Sequence, residues 1–381
     1  MLLYPLYALL FADAGLSTAE ISSLFALWSI TGFVLEVPSG VWADAVSRRF
    51  LLALAPLLSG AGFALWVLAP SYEAFAAGFV LWGAQGALQS GALEALVYEE
   101  LQRTGAEARY PRMMGRAAAL GTIASGVATG LAAPGFAHGG FAAVGGASVV
   151  ACLAAAAVGA TLPEHRARRR SGPRGDDGGA HDAADGRSAL AAIAAAGVRE
   201  LRGSPALRGA VLLVPAVVVV WGSLDEFLPL LAVEAGAAAR DVPLLALLVY
   251  AGMAAGGVLA DRASRLGGRG IGLTLAAAAA LLAAGALSGV PAGFAAIALA
   301  FAGFQAVTVV ADARLQAAIE GPARSTVTSL AGLLTEVATI ATFALYGAGS
   351  AFASHAVLFA ACALAYGVVA PFAARVVDRV R

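Results

Sequence analysis

The chain has 381 residues, of which 60% are hydrophobic and only 13% charged, and its 24 acidic side chains balance 24 basic ones at a mean hydropathy of +0.82. Soluble domains carry about 25% charged residues, so an ordinary water-soluble protein is excluded. A membrane-spanning helix needs about 20 apolar residues, and a chain this long accommodates roughly twelve of them with short connections and one longer one.

The first apolar stretch is too short to cross a bilayer, because only Met1 to about Ala12 precede a turn at Asp13-Ala14-Gly15-Leu16-Ser17. Its Tyr4-Pro5-Leu6-Tyr7-Ala8 is echoed by Leu228-Pro229-Leu230-Leu231-Ala232 in the seventh span, whose apolar run begins well before its Pro. Span one is therefore expected to lack its cytoplasmic half. Span two is expected over 18–42, span three over 50–69, span four over 73–98, span five over 113–133 and span six over 140–162. Small residues such as Gly121, Gly126 and Gly130 in span five let helix backbones approach closely. Residues 163–187 are rich in Arg, Gly and Asp and read as a flexible linker, followed at 188–201 by an Ala-rich stretch suited to the membrane interface. Six further spans are expected over 205–233, 242–260, 271–289, 291–313, 325–348 and 353–374. The chain thus divides into a bundle at 1–162, a linker at 163–204 and a second bundle at 205–381.

A polar hinge interrupts the apolar text twice. Gly40-Val41-Trp42-Ala43-Asp44-Ala45-Val46-Ser47-Arg48-Arg49 is matched 217 residues later by Gly257-Val258-Leu259-Ala260-Asp261-Arg262-Ala263-Ser264-Arg265. Asp, Ser and Arg are scarce here, so their coincidence carries the match, and each copy is expected to be a tight cytoplasmic turn. Two copies suggest two homologous halves, as in secondary transporters. The first copy resembles the signature between the second and third helices of the major facilitator superfamily, Gly-x-x-x-Asp-Arg/Lys-x-Gly-Arg-Arg/Lys. Gly40, Asp44, Arg48 and Arg49 match it, while Ala45 stands for the first base and Ser47 for the usual Gly. The second copy, with Arg262, is the echo expected between helices eight and nine. The resemblance implies an all-α membrane protein with two pseudo-symmetric six-helix bundles around a central cavity. Glu36-Val37-Pro38-Ser39-Gly40 is also similar to a pattern ahead of the hinge in drug-efflux-like members, whereas Gly126-Val127 stands where many antiporters have a Gly-Pro pair.

All the basic residues are Arg, a bias that together with the Ala and Gly excess suggests a high-GC bacterial genome. Every Arg except Arg240 falls in the hinges, the four-to-five loop, the linker, the ten-to-eleven turn, the C-terminal tail or the helix ends beside them. The positive-inside rule then places both termini in the cytoplasm, with the bacterial inner membrane as the expected location.

By pseudo-symmetry and the family resemblance, Asp44 and Asp261 are expected to reach the cytoplasmic starts of spans eleven and five, where a carboxylate near helix N-terminal amides gains about 0.3–1 kcal/mol. Gly40, Arg48, Arg49, Gly257, Arg262 and Arg265 complete this gating set. Acids at membrane depth are costly and are retained with a partner or a task, which makes Glu36, Glu94, Asp225, Glu226, Asp312 and Glu336 candidates for proton coupling or for contact with a cationic substrate. For Glu36, Glu94 and Asp312 a structural role is the favoured expectation, with Glu94 able to pair with Arg116 and Asp312 close in sequence to Arg314. Trp82, Gln85, Gln89 and Gln305 are candidates for lining the substrate path or for bonding helix to helix. Cys152 and Cys362 read as free thiols inside apolar helices, and no metal site is expected from the scattered histidines. With no Lys, a phosphate-cradling Gly-x-x-x-x-Gly-Lys-Ser/Thr loop is impossible. These features point to a monomeric secondary transporter that lies in the lipid bilayer and moves a small molecule with protons, with efflux favoured and with neither cofactor nor nucleic-acid partner. Uptake or uniport in the same fold, and a non-transporting membrane scaffold, remain the competing readings; an enzyme would need a catalytic cluster that the sequence does not display.

Overall fold

The computed structural model describes residues 1–89, 91–164, 201–319 and 324–379, and for residues 36–45 and 325 the backbone alone. Of the linker only 163–164 and 201–204 are described, and of the Ala-rich stretch only Leu201. Every regular element among the described residues is helical. The helices are α1 (Tyr7–Asp13), α2 (Thr18–Ala45), α3 (Arg48–Leu68), α4 (Tyr72–Gln89), α5 (Ala92–Arg103), α6 (Tyr110–Thr161), α7 (Pro205–Asp225), α8 (Leu228–Glu234), α9 (Val242–Ser264), α10 (Gly268–Leu287), α11 (Phe294–Ala318), α12 (Arg324–Gly349) and α13 (His355–Arg379). Nine segments among the described residues are long and apolar enough to cross a membrane. With the two arms of α6 counted apart and the short α1 and the α4–α5 pair added, twelve helical passes result.

Four expected boundaries are corrected. Span four is not continuous, because Gly91 at φ +71° interrupts it between α4 and α5. Such a left-handed backbone is steric strain for any residue with a Cβ. Spans five and six meet in no loop at 134–139; helix runs on to Gly139 and Gly140, where φ/ψ values of −155/20° and 58/−152° turn the chain back. Span seven divides into α7 and α8, since Pro229 has no N–H to offer the Asp225 carbonyl one turn earlier. Both hinges are shorter than expected: α2 continues to Ala45 and α9 to Ser264, so the Gly and Asp of each motif sit on the ends of helices and the turns proper begin beyond them. Span one is the seven-residue α1, entered through a short 3-10 turn at Tyr4–Leu6.

Close helix crossings are made by glycine. In the second half a Cβ on Gly252 or Gly256 of α9 would lie 2.2 Å from the carbonyl oxygens of Ala298 and Ala302 on α11, so these two helices pack backbone to backbone. Between the halves, a Cβ on Gly347 of α12 would lie 2.9 Å from Cβ of Ser22 on α2. Phe25 of α2 packs edge-on against Phe227 (5.3 Å between ring centres) and at a tilt against Phe343 (5.5 Å). All these contacts between halves lie toward the Arg-poor end. At the Arg-rich end, every hydrogen bond and ion pair among the described residues stays within one half, and separate apolar clusters form around Leu51 and Leu88, Leu52 and Leu96, and Leu207 and Val327. Among the described residues the halves therefore meet at the Arg-poor end and share no hydrogen bond or ion pair at the Arg-rich one.

Candidate functional site

Between the parted halves lies a cavity of about 560 Å³, walled by α2 and α4 on one side and α7 and α12 on the other. Gly83 of α4 positions its aromatic wall: a Cβ there would lie 2.9 Å from Thr31, so α2 and α4 cross closely enough for Trp28 and Trp82 to stack at 5.0 Å and 21°. Phe33 and Phe343 extend the apolar surface. Polar groups enter from both halves, Ser29 and Gln85 from one, Ser223, Thr335 and Thr339 from the other. Glu226 and Glu336 are the charged residues among the described lining residues, and both are acids. A mostly apolar pocket with a few placed polar groups is the usual form of a small-molecule site.

Glu226 sits at the break between α7 and α8, where the interrupted helix carries its side chain to the seam. Its carboxylate accepts a hydrogen bond from the Tyr7 hydroxyl of α1 and a longer one, 3.4 Å, from Tyr4. Tyr7 is almost wholly buried, as is Glu226, and Tyr250 of α9 interacts with Tyr4, Asp225 and Glu226. Oδ1 of Asp225 and the Ser223 hydroxyl are buried without a hydrogen-bond partner among the described residues. Next to Glu226, Phe227 stacks on Tyr346 at 3.8 Å and 19°. The Tyr346 hydroxyl lies 2.8 Å from His355 Nδ1, and Glu234 accepts the backbone N–H groups of His355 and Ala356 at 2.7 and 2.8 Å, which ties the start of α13 into the same sealed end.

At the Arg-rich end the first hinge is held by acids of its own half. Arg48 pairs with Glu99 of α5, and Glu164 accepts the Ser47 hydroxyl and the Arg48 N–H, the latter at 2.8 Å. The second half repeats the device: Asp378 accepts the Gly268 N–H at 2.7 Å at the start of α10. Asp261 pairs at 2.6 Å with Arg265 one turn away on an exposed surface. Arg49 and Arg262 are exposed. The Asp44 and Glu36 side chains lie outside the described residues. Gly257 has open space around it, with nothing within 4 Å of where a Cβ would stand.

The remaining expected residues divide. Trp82, Gln85, Glu226 and Glu336 border the cavity. Gln89 bonds to Gln85 and holds it from outside the cavity lining. Gln305 of α11 and Asp225 are not among the lining residues. Glu94 is exposed and makes no ion pair with Arg116; the acid of α5 that pairs across helices is Glu99. Asp312 is likewise exposed, and its neighbour Arg314 reaches the Ser264 carbonyl at 3.4 Å. Sequence reasoning passed over Tyr4, Tyr7, Trp28, Thr335 and Thr339. A signal for the tyrosines was present, since a buried hydroxyl in so apolar a helix needs a partner. Among the described residues no cluster of three or more His, Cys, Asp or Glu is placed to hold a metal.

A family model described as Major Facilitator Superfamily matches residues 1–354. Among solved structures, a bacterial homolog of the human lysosomal transporter Spinster, in an inward-facing and unoccupied conformation, superposes with a TM-score of 0.66 at 15% identity and covers 100% of this chain and 94% of its own. The nucleoside transporter NupG superposes with a TM-score of 0.68 at 13% identity, over 97% of this chain and 92% of that one. At such identities the likeness is one of fold. No curated protein sequence matches the chain.

Proposed function

The chain belongs to the major facilitator superfamily, and from that premise we propose that it moves a small solute by alternating access, coupled to protons, in the outward direction. The observation that carries this reading is the cavity: both halves of the chain line it, and Phe25, Phe227 and Phe343 pack ring against ring across the seam beside it; in this reading it opens between the Arg-rich ends. With the Arg-rich face in the cytoplasm of a bacterium, this is the inward-open state of a monomer whose bundles, 1–162 and 205–381, rock about the cavity. In the opposite state Asp261 leaves Arg265 and meets the start of α6, and Asp44 meets the start of α12.

Glu336 and Glu226 are the proton carriers in this proposal, because they are the acids among the described residues that border the cavity and an ionisable group at such depth is rarely kept without a task. The test uses purified chain in sealed vesicles loaded with candidate solutes. Glu336→Gln should abolish flux driven by a pH gradient while leaving exchange of solute against solute intact. Loss of both processes, or survival of both, removes Glu336 from the coupling step. A chain that shows no exchange of any solute under any gradient is not a transporter.

A further inference from the structure

Glu226 belongs to two surfaces at once. On one side it accepts hydrogen bonds from Tyr7 and Tyr4, which come from the other half of the chain and close the Arg-poor seam. On the other it borders the cavity beside Ser223 and Gly222. The described cavity wall also carries the rings of Trp28 and Trp82 and the acid Glu336, and no base. Aromatic faces attract cations, and carboxylates do so more strongly, whereas the charged groups an anion would meet among the described lining residues are both carboxylates.

We propose that Glu226 is a shared carboxylate: it is both the closing contact of the Arg-poor seam, through Tyr7 and Tyr4, and the docking contact for the charged group of an aromatic organic cation in the cavity. The two engagements compete. Hydrogen bonds to an ionised acceptor are roughly twice as strong as those between neutral groups, so a cation that takes up the charge of Glu226 weakens both tyrosine bonds together. A ligand moves a two-state equilibrium only through its different affinity for the two states, and the shared oxygen atoms supply that difference: the cation reaches Glu226 fully only where the tyrosines have let go. Tyr7 is thus a positioning residue for the conformational step, and the break at Pro229 is the joint about which α8 swings. This assignment rests on the transport reading above and names the substrate class for the same cavity.

The experiment places spin labels on Ala14→Cys and Phe352→Cys, both exposed at the Arg-poor end, in the full chain with Cys152 and Cys362 replaced by Ala, and measures the distance between them in lipid nanodiscs. The probes are ethidium, an aromatic cation, and naphthalene-2-sulfonate, an aromatic anion, with binding followed by tryptophan quenching. Ethidium should lengthen the distance and the sulfonate should not. Tyr7→Phe should raise the ratio of open to closed molecules about tenfold without ligand, as expected for loss of a hydrogen bond to a charged group, and should still bind ethidium. Glu226→Gln should open the seam similarly and weaken ethidium binding at least tenfold. Should Glu226→Gln fail to fold, the ring-conserving Tyr7→Phe and the probe pair decide alone. A seam unmoved by either variant, or moved as far by the sulfonate as by ethidium, overturns the assignment. Vesicle flux that persists while the labels ignore ethidium and both variants sinks the shared carboxylate alone; labels that respond in a chain without flux sink the transport reading instead.

Discussion

Gly256 shows how little room single residues have in the second half. A Cβ there would lie 2.2 Å from the Ala302 carbonyl and 2.9 Å from its Cα, both backbone atoms that cannot turn aside. Gly256→Val should therefore force α9 from α11 and lower stability by about 1–3 kcal/mol, the range for overpacked sites, seen as an earlier loss of monodisperse protein on heating in detergent. Gly257, its neighbour in sequence, has open space around it, so Gly257→Ala is the control that should leave the midpoint unchanged. The contrast is informative because Gly257, and not Gly256, belongs to the repeated motif. Repetition in the sequence and steric need at the crossing single out different glycines, and only the packing tells which is which.

At the level of elements, the interruption of span seven decides what lies at the seam. An unbroken helix would keep Glu226 and Phe227 on successive positions of one cylinder; the break at Pro229 lets Glu226 meet Tyr7 while Phe227 stacks on Tyr346. Phe227 is fully buried, whereas Trp28 is only partly so and faces the cavity. Phe227→Ala should consequently cost about 3–5 kcal/mol, as for a large buried aromatic residue, and Trp28→Ala distinctly less; thermal inactivation of the two variants checks the order. The acid that caps the start of α10 makes a second prediction. Asp378→Ala leaves the Gly268 N–H without its charged acceptor and should destabilise by about 1.5–3 kcal/mol, while Asp378→Glu, which keeps a carboxylate, should recover part of the loss. The sequence does not announce Asp378 or Glu164 as partners of the hinges, because they stand more than a hundred residues away from them.

At the scale of the whole molecule, the aromatic contacts between the halves gather at the Arg-poor end. The seam is aromatic and tight at Ser22 and Gly347, and both halves line the cavity, which in the proposed function opens toward the helix ends that carry the arginines. A cysteine introduced at Gly86 or Thr335, both in the cavity wall, should react with a membrane-impermeant thiol reagent applied from the Arg-rich side and stay protected from the other. Ser22→Cys, buried at the seam, should react from neither side until the halves exchange their closed ends. Oriented vesicles report the side of attack. Reaction of Gly86→Cys from the Arg-poor side alone would invert the proposed topology.

Much of this architecture was legible in the residue order. Hydropathy and length determine that the chain crosses a bilayer many times, since backbone polar groups in lipid must be satisfied within each helix, and the recurrence of Gly40 to Arg48 at Gly257 to Arg265 marks two related halves. Local chemistry also singled out the acids Glu226 and Glu336, which line the cavity. The order of residues could not reveal which acid meets a partner across the seam, that Asp261 turns back to Arg265, or that Trp28 and Trp82 face each other. Those facts depend on how helices distant in sequence are set against one another. In an apolar chain this is governed by small-residue crossings and a few polar contacts, both invisible until the helices are packed.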